Sequence, residues 1–356
     1  MRSLVIWTWV VLISLVFIGG AFPLCMSWKE CATMAMKQDR DGEWSEAVRS
    51  AKLALLSAKK SPSPKELNVR KCLVLLADLY RDRGHWNQAI IFYNRALLIQ
   101  SDSFGMGHPY TVRLIGTLGD VFAAKGDYHR AETLYRTAMG ATEEAGRQDS
   151  MYVVRALAGL ANIYGAEGRG DEAEALLKRA AKVYEIRRKY RAHPDSRHPL
   201  VQCDLASLYR DQERFPEAVA AYRKAVSLFN GIGARDNPMV AGTLANLGNT
   251  YVQWGRHRGA LGCYNRALAI WDRTGQSNSY PAGATLRNLA DIYRERENLP
   301  AAQRYYERAV AVFDSCGAPD KQMLTATLKC LADVCEMGGQ TERAGDLYKQ
   351  VLQARR

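Results

Sequence analysis

One position governs this chain: a turn residue that recurs as Gly42, Gly84, Gly126, Gly168, Glu213, Gly255, Glu297 and Gly339, at spacings of 42 residues with a single 45. Five residues after each turn stands alanine, as Ala47, Ala89, Ala131, Ala173, Ala218, Ala260, Ala302 and Ala344. Nine residues after it comes a large side chain, Tyr93, Tyr135, Leu177, Tyr222, Tyr264, Tyr306 and Tyr348, with Ala51 in the first copy. Self-similarity at such a period makes each copy one supersecondary unit whose apolar face is buried by the copies beside it.

Upstream of the turns the chain reads "LADLY" (76–80), "LGDVF" (118–122), "LANIY" (160–164), "LASLY" (205–209), "LGNTY" (247–251), "LADIY" (289–293) and "LADVC" (331–335). Apolar residues at offsets 0, 1 and 4 share one face of a helix. Each unit is therefore expected to be a helical hairpin. The alanines of its second helix are small enough to let neighbouring helices approach closely.

Leu, Gly or Ala, and Tyr, followed by Ala, an aromatic and a second Ala, resemble the tetratricopeptide repeat. The 42-residue period resembles the variant found in kinesin light chains, as do "GHPYTVRLIGTLGDVF", "DNPMVAGTLANLGNTY" and, more loosely, "RHPLVQCDLASLY". Proline there suits the first turn of a helix, where no donor is lost. Over residues 26–356 the resemblance implies an all-α, right-handed superhelical solenoid of about eight antiparallel hairpins. The first copy departs from the pattern at Gln38 and Ala51, as a cap would. The last ends soon after Tyr348, so self-association through the final hairpin is an expected partner mode.

Residues 1–25 are of another kind. After Arg2 no charge appears until Lys29, and "LVIWTWVVLISLVFI" (4–18) precedes Gly19, Gly20 and Ala21. This is the layout of a signal peptide cut after Ala21, or of an uncleaved N-terminal membrane anchor. Either places the repeats outside the cytoplasm, exported or tethered. The chain has eight cysteines, but Cys72, Cys203, Cys263 and Cys330 fall on apolar helical stretches, which argues against a disulfide framework.

Catalysis needs convergent groups, and the six histidines are scattered. The spacing His193, His198, Cys203 has no second cysteine pair, and "GAEGRGDE" (165–172) follows no strand. The expectation is a chain without enzyme activity, metal or cofactor. The resemblance implies that first helices line an inner groove, where a peptide would bind. Thirteen residues before each turn the groove row reads Lys29, Lys71, Arg113 and Arg155, then turns neutral at Leu200, Gly242, Ala284 and Ala326. Six before the turn a polar row reads Asp78, Asp120, Asn162, Ser207, Asn249, Asp291 and Asp333. Asn246 and Asn288 match the second member of the asparagine pairs of kinesin light chain grooves, and Arg287 follows the same side.

Net charge is +12, and residues 178–198 hold eight basic side chains, among them Lys178, Arg179, Lys182, Arg187, Arg188, Lys189 and Arg191, against Glu185 and Asp195. A second reading is therefore a basic repeat surface for an anionic partner, an acidic lipid surface or nucleic acid. Nucleic acid ranks lowest, since no aromatic stacking row interleaves with the charge. The leading expectation is a scaffold for a protein or peptide partner.

Overall fold

A computed structural model describes residues 27–61, 65–147, 151–190, 198–316 and 321–354. The segment 1–25 and Arg191 lie outside the described residues, as do the side chains of Arg187, Arg188 and Lys189. Among the described residues there are sixteen α-helices and no strand.

The chain divides into two compact units, 1–163 and 164–356. The first holds α1 (Trp28–Arg40), α2 (Trp44–Lys60), α3 (Lys65–Asp82), α4 (Trp86–Phe104), α5 (Pro109–Lys125), α6 (Tyr128–Glu144) and most of α7 (Met151–Ala166). The second begins at the end of α7. It continues through α8 (Gly170–Tyr190), α9 (His198–Asp211), α10 (Phe215–Gly231), α11 (Pro238–Gln253), α12 (His257–Arg273), α13 (Tyr280–Glu295), α14 (Leu299–Ser315), α15 (Lys321–Met337) and α16 (Thr341–Ala354). Within each unit a first helix packs on its own second helix, and each second helix packs on the next first helix, as α2 does on α3 and α10 on α11. This is an all-α repeat solenoid.

Each hairpin turns through a left-handed residue, with φ of 73° at Gly84 and 87° at Gly126. The amide of Gly84 donates to the Arg81 carbonyl and that of His85 to the Tyr80 carbonyl, each at 2.9 Å, which satisfies the last carbonyls of α3. Glu213 and Glu297 hold the same geometry at φ 59°, where a side chain is strained. The alanines five residues past the turn are fully buried, Ala344 at 2% exposure being the least so. Pro109 and Pro238 open their helices, capped by His108 Nδ1 and Asn237 Oδ1, which accept from the amides of Tyr110 and Met239.

The tyrosine row lies inside this core with Tyr93, Tyr135, Tyr222, Tyr264 and Tyr306 among the largest fully buried side chains. Each hydroxyl finds the residue fifteen positions earlier, on the first helix of its own hairpin. Tyr93 donates to Asp78 and Tyr306 to Asp291. Tyr135 donates to Asp120 at 2.6 Å, Tyr264 to Asn249 at 2.6 Å and Tyr348 to Asp333 at 2.7 Å, while Tyr222 pairs with Ser207 at 2.8 Å. Burial, then the neighbouring carboxylate, pushes the Tyr93 and Tyr135 phenols well above their ordinary value, so both remain donors at any working pH. The bond ties the two helices of a hairpin together at one register.

Candidate functional site

In the first unit the basic row is not uniform. Lys29, Lys71 and Arg113 are exposed. The ammonium groups of Lys29 and Lys71 lie 5.9 and 5.7 Å from the Trp28 ring centre. Arg113 lies 4.9 Å from the ring centre of Tyr110, which the buried Arg70 approaches at 5.7 Å from another helix. Cations over aromatic faces hold their stems in place while the charge still meets solvent. The aromatic interleaving that no sequence row displays is thus present in space, because Trp28 and Tyr110 occupy different offsets from their turns.

Arg155 differs from the rest of the row. Its guanidinium grips Asp120 of the preceding hairpin, with Nε at 2.8 Å from Oδ2 and a second bond from Nη2. That ion pair removes the fourth cation from a free ladder.

The polar row is committed inside the fold. Asp78, Asp120, Asn249 and Asp291 accept the tyrosine hydroxyls, and Asp78 is further paired with Arg81 at 2.8 Å. Asn162 is the exposed exception, in the copy whose tyrosine position holds Leu177. The signal for this role was in the chain. The first copy, which lacks the tyrosine, has Met36 where the row is otherwise polar.

In the second unit Asn288 donates to Asn249 at 2.8 Å, joining the first helices of successive hairpins, whereas Asn246 is exposed. Arg287 directs Nη1 at Met323 Sδ, 2.7 Å away, and its buried Nε has no hydrogen-bond partner. Of the basic patch, Lys178, Arg179 and Lys182 are described and exposed. Lys178 is 2.7 Å from Glu174, which also accepts from Tyr209 at 3.0 Å and Arg214 at 2.5 Å. Burial alone would raise the Glu174 carboxyl, but these donors hold it down at about 2. The charge of Lys178 is therefore spent within the fold.

The seven described cysteines are free thiols. Burial pushes Cys72 and Cys203 up to about 11, so neither is a thiolate nucleophile at neutral pH. His85 is exposed and rests 5.2 Å from Trp44, ring centre to ring centre. Among the described residues no three His, Cys, Asp or Glu side chains are grouped to hold a metal ion, and no helix is long and apolar enough to cross a membrane.

A tetratricopeptide repeat family model matches residues 82–144, 110–186, 199–273 and 281–356, and a second tetratricopeptide repeat model matches 158–231. No curated protein matches the chain. Among solved structures, the quorum sensor NprR from B. thuringiensis aligns over 100% of this chain and 94% of its own, at 12% identity and TM-score 0.61. RapI aligns over 82% and 98% at 14% identity and TM-score 0.57. BtubC (BKLC) from P. vanneervenii aligns over 68% and 91% at 21% identity and TM-score 0.55. At these identities the likeness is one of fold.

Proposed function

Because this chain belongs to the tetratricopeptide repeat family, we propose that it is a non-catalytic scaffold that binds a protein segment along the first helices of residues 27–163. One observation carries the reading: Lys29, Lys71 and Arg113 present exposed charge on aromatic supports, while the acids of the same face are occupied within the fold. A cationic, aromatic surface with its own carboxylates neutralised fits a segment bearing acidic and planar side chains. The tight Arg155–Asp120 pair makes Lys71 and Arg113 the residues to test. The N-terminal apolar run supports export or tethering of the scaffold outside the cytoplasm.

Charge reversal at both positions, Lys71→Glu with Arg113→Glu, should lower capture of a bound partner by roughly tenfold with little change in melting temperature. Affinity capture by wild type and variant, followed by identification of what each retains, is the measurement. Equal retention of every captured protein would overturn the assignment. N-terminal sequencing of fractionated protein checks the location, and full-length protein in the cytoplasmic fraction would remove it.

A further inference from the structure

On the second-helix side of the second unit, α10, the end of α11 and the start of α12 enclose a cleft. It consists of two cavities of about 730 and 500 Å³ that share Arg223, Tyr251, Arg258 and Gly259 in their walls. Two glycines open it. The equivalent positions elsewhere carry pairs such as Gln88 and Ile91, or Arg130 and Thr133, whereas here they are Gly259 and Gly262. A Cβ at Gly259 would press on the Tyr251 ring at 3.0 Å, and one at Gly262 would meet nothing within 4 Å.

Five guanidiniums, of Arg223, Arg256, Arg258, Arg266 and Arg296, line the cavities, and neither wall contains a carboxylate. All five are exposed, and none pairs with an acid among the described residues. Arg223 donates to Tyr251 Oη at 2.7 Å, and Arg256 lies 5.1 Å from the Trp254 ring centre. Glu295, outside both walls, stands 3.7 Å from His257 Nδ1. No side chain caps the start of α12, so its first amides and dipole add to the positive field in the same cleft. Gathering like charges with no counter-ion is unfavourable in the free protein, which makes anion capture the natural release.

We propose that this cleft binds a short acidic segment of a partner protein. Two features favour a peptide over a single phosphate. From Arg256 to Arg266 the charges are spread over ~15 Å of α12, the reach of an extended peptide of about five residues. Between them the floor is mixed, with Val219, Tyr251 and Trp254 available to an apolar side chain. A single phosphate would leave the guanidiniums at one end unpaired.

The test uses the full chain and a fluorescent peptide of that length, glutamate throughout except for a central leucine, followed by anisotropy in about 0.15 M salt. Saturable binding is expected, weakened roughly tenfold by Arg258→Glu with Arg266→Glu, more modestly by Arg296→Glu, and not by Arg95→Glu in the other unit. Gly262→Leu, which fills the open space without changing charge, should weaken binding as well. All these positions are exposed, so melting curves should confirm folded variants. Absence of saturable binding overturns the proposal. So does normal binding by Gly262→Leu, which would reduce the effect to diffuse charge. Tighter binding of an oligouridylate of equal charge would assign the cleft to nucleic acid instead. Lys71→Glu with Arg113→Glu leaves this cleft intact, so its failure and that of the first-helix face are separable.

Discussion

At the scale of single residues, the tyrosine row explains which substitutions the fold will resist. Gly119 and Gly248 stand where other first helices carry alanine, and a Cβ at Gly119 would lie 2.6 Å from the Tyr135 ring, with Gly248 as tight against Tyr264. Gly248→Ala gains up to ~1 kcal/mol of helix propensity but forces the buried ring aside, so a net loss of about 1–2 kcal/mol is expected in denaturant unfolding. Asp204, on α9, makes no hydrogen bond among the described residues, and burial raises its carboxyl to about 6. The folded protein thus holds this proton more tightly than the unfolded chain. Its burden on folding grows as pH climbs from about 4 and is complete above 6. Asp204→Asn should therefore raise stability by about 2 kcal/mol near pH 7.5 and by little near pH 4, as thermal melts at the two pH values will report. The hairpins were legible because their marks repeat. The hydroxyl bonds left one trace, the joint absence of tyrosine and polar residue at Ala51 and Met36, but the pairing of Asp78 with Tyr93 emerges only when fifteen residues of helix, turn and helix bring them together.

At the scale of the element, the turn carries the load. Six of the eight turns use glycine, and Glu213 and Glu297 make the same hydrogen bonds at a φ that glycine adopts without strain. Glu297→Gly is expected to stabilise by about 1 kcal/mol, read as a shift in denaturant midpoint at constant slope. The helix order could be read from spacing, yet the fate of the basic row could not. Lys71 and Arg155 hold equivalent positions, but only Arg155 finds a carboxylate in reach. That outcome depends on the residue thirty-five positions earlier, which is Met36 for Lys71 and Asp120 for Arg155, and on the Asp120 oxygen that the tyrosine leaves open. The arginine cleft escaped a reading by rows for a related reason. Its five guanidiniums come from two second helices and two turns at unrelated offsets.

At the scale of the whole molecule, two compact units built from nearest-neighbour packing should not unfold as one. Native-state hydrogen exchange offers the measurement. Gly248→Ala is expected to speed exchange in α11, α12 and their neighbours while leaving α1 to α6 at wild-type rates. Uniform acceleration along the chain would instead show a single cooperative body. The division also separates the two charged surfaces, one on first helices of residues 27–163 and one on second helices beyond 164, each of which can be disabled alone.

In the six hairpins that carry the tyrosine, the hydroxyl bond closes over a span of fifteen residues that never leaves that hairpin. Chain added between hairpins therefore falls outside the measured span, and the one 45-residue interval, between Gly168 and Glu213, follows the copy with Leu177 in place of tyrosine. Length is policed within a module and left open between modules. Hairpins should then be duplicated, deleted or exchanged at their joints with each fragment carrying its own ruler, which makes this array a ready substrate for recombination.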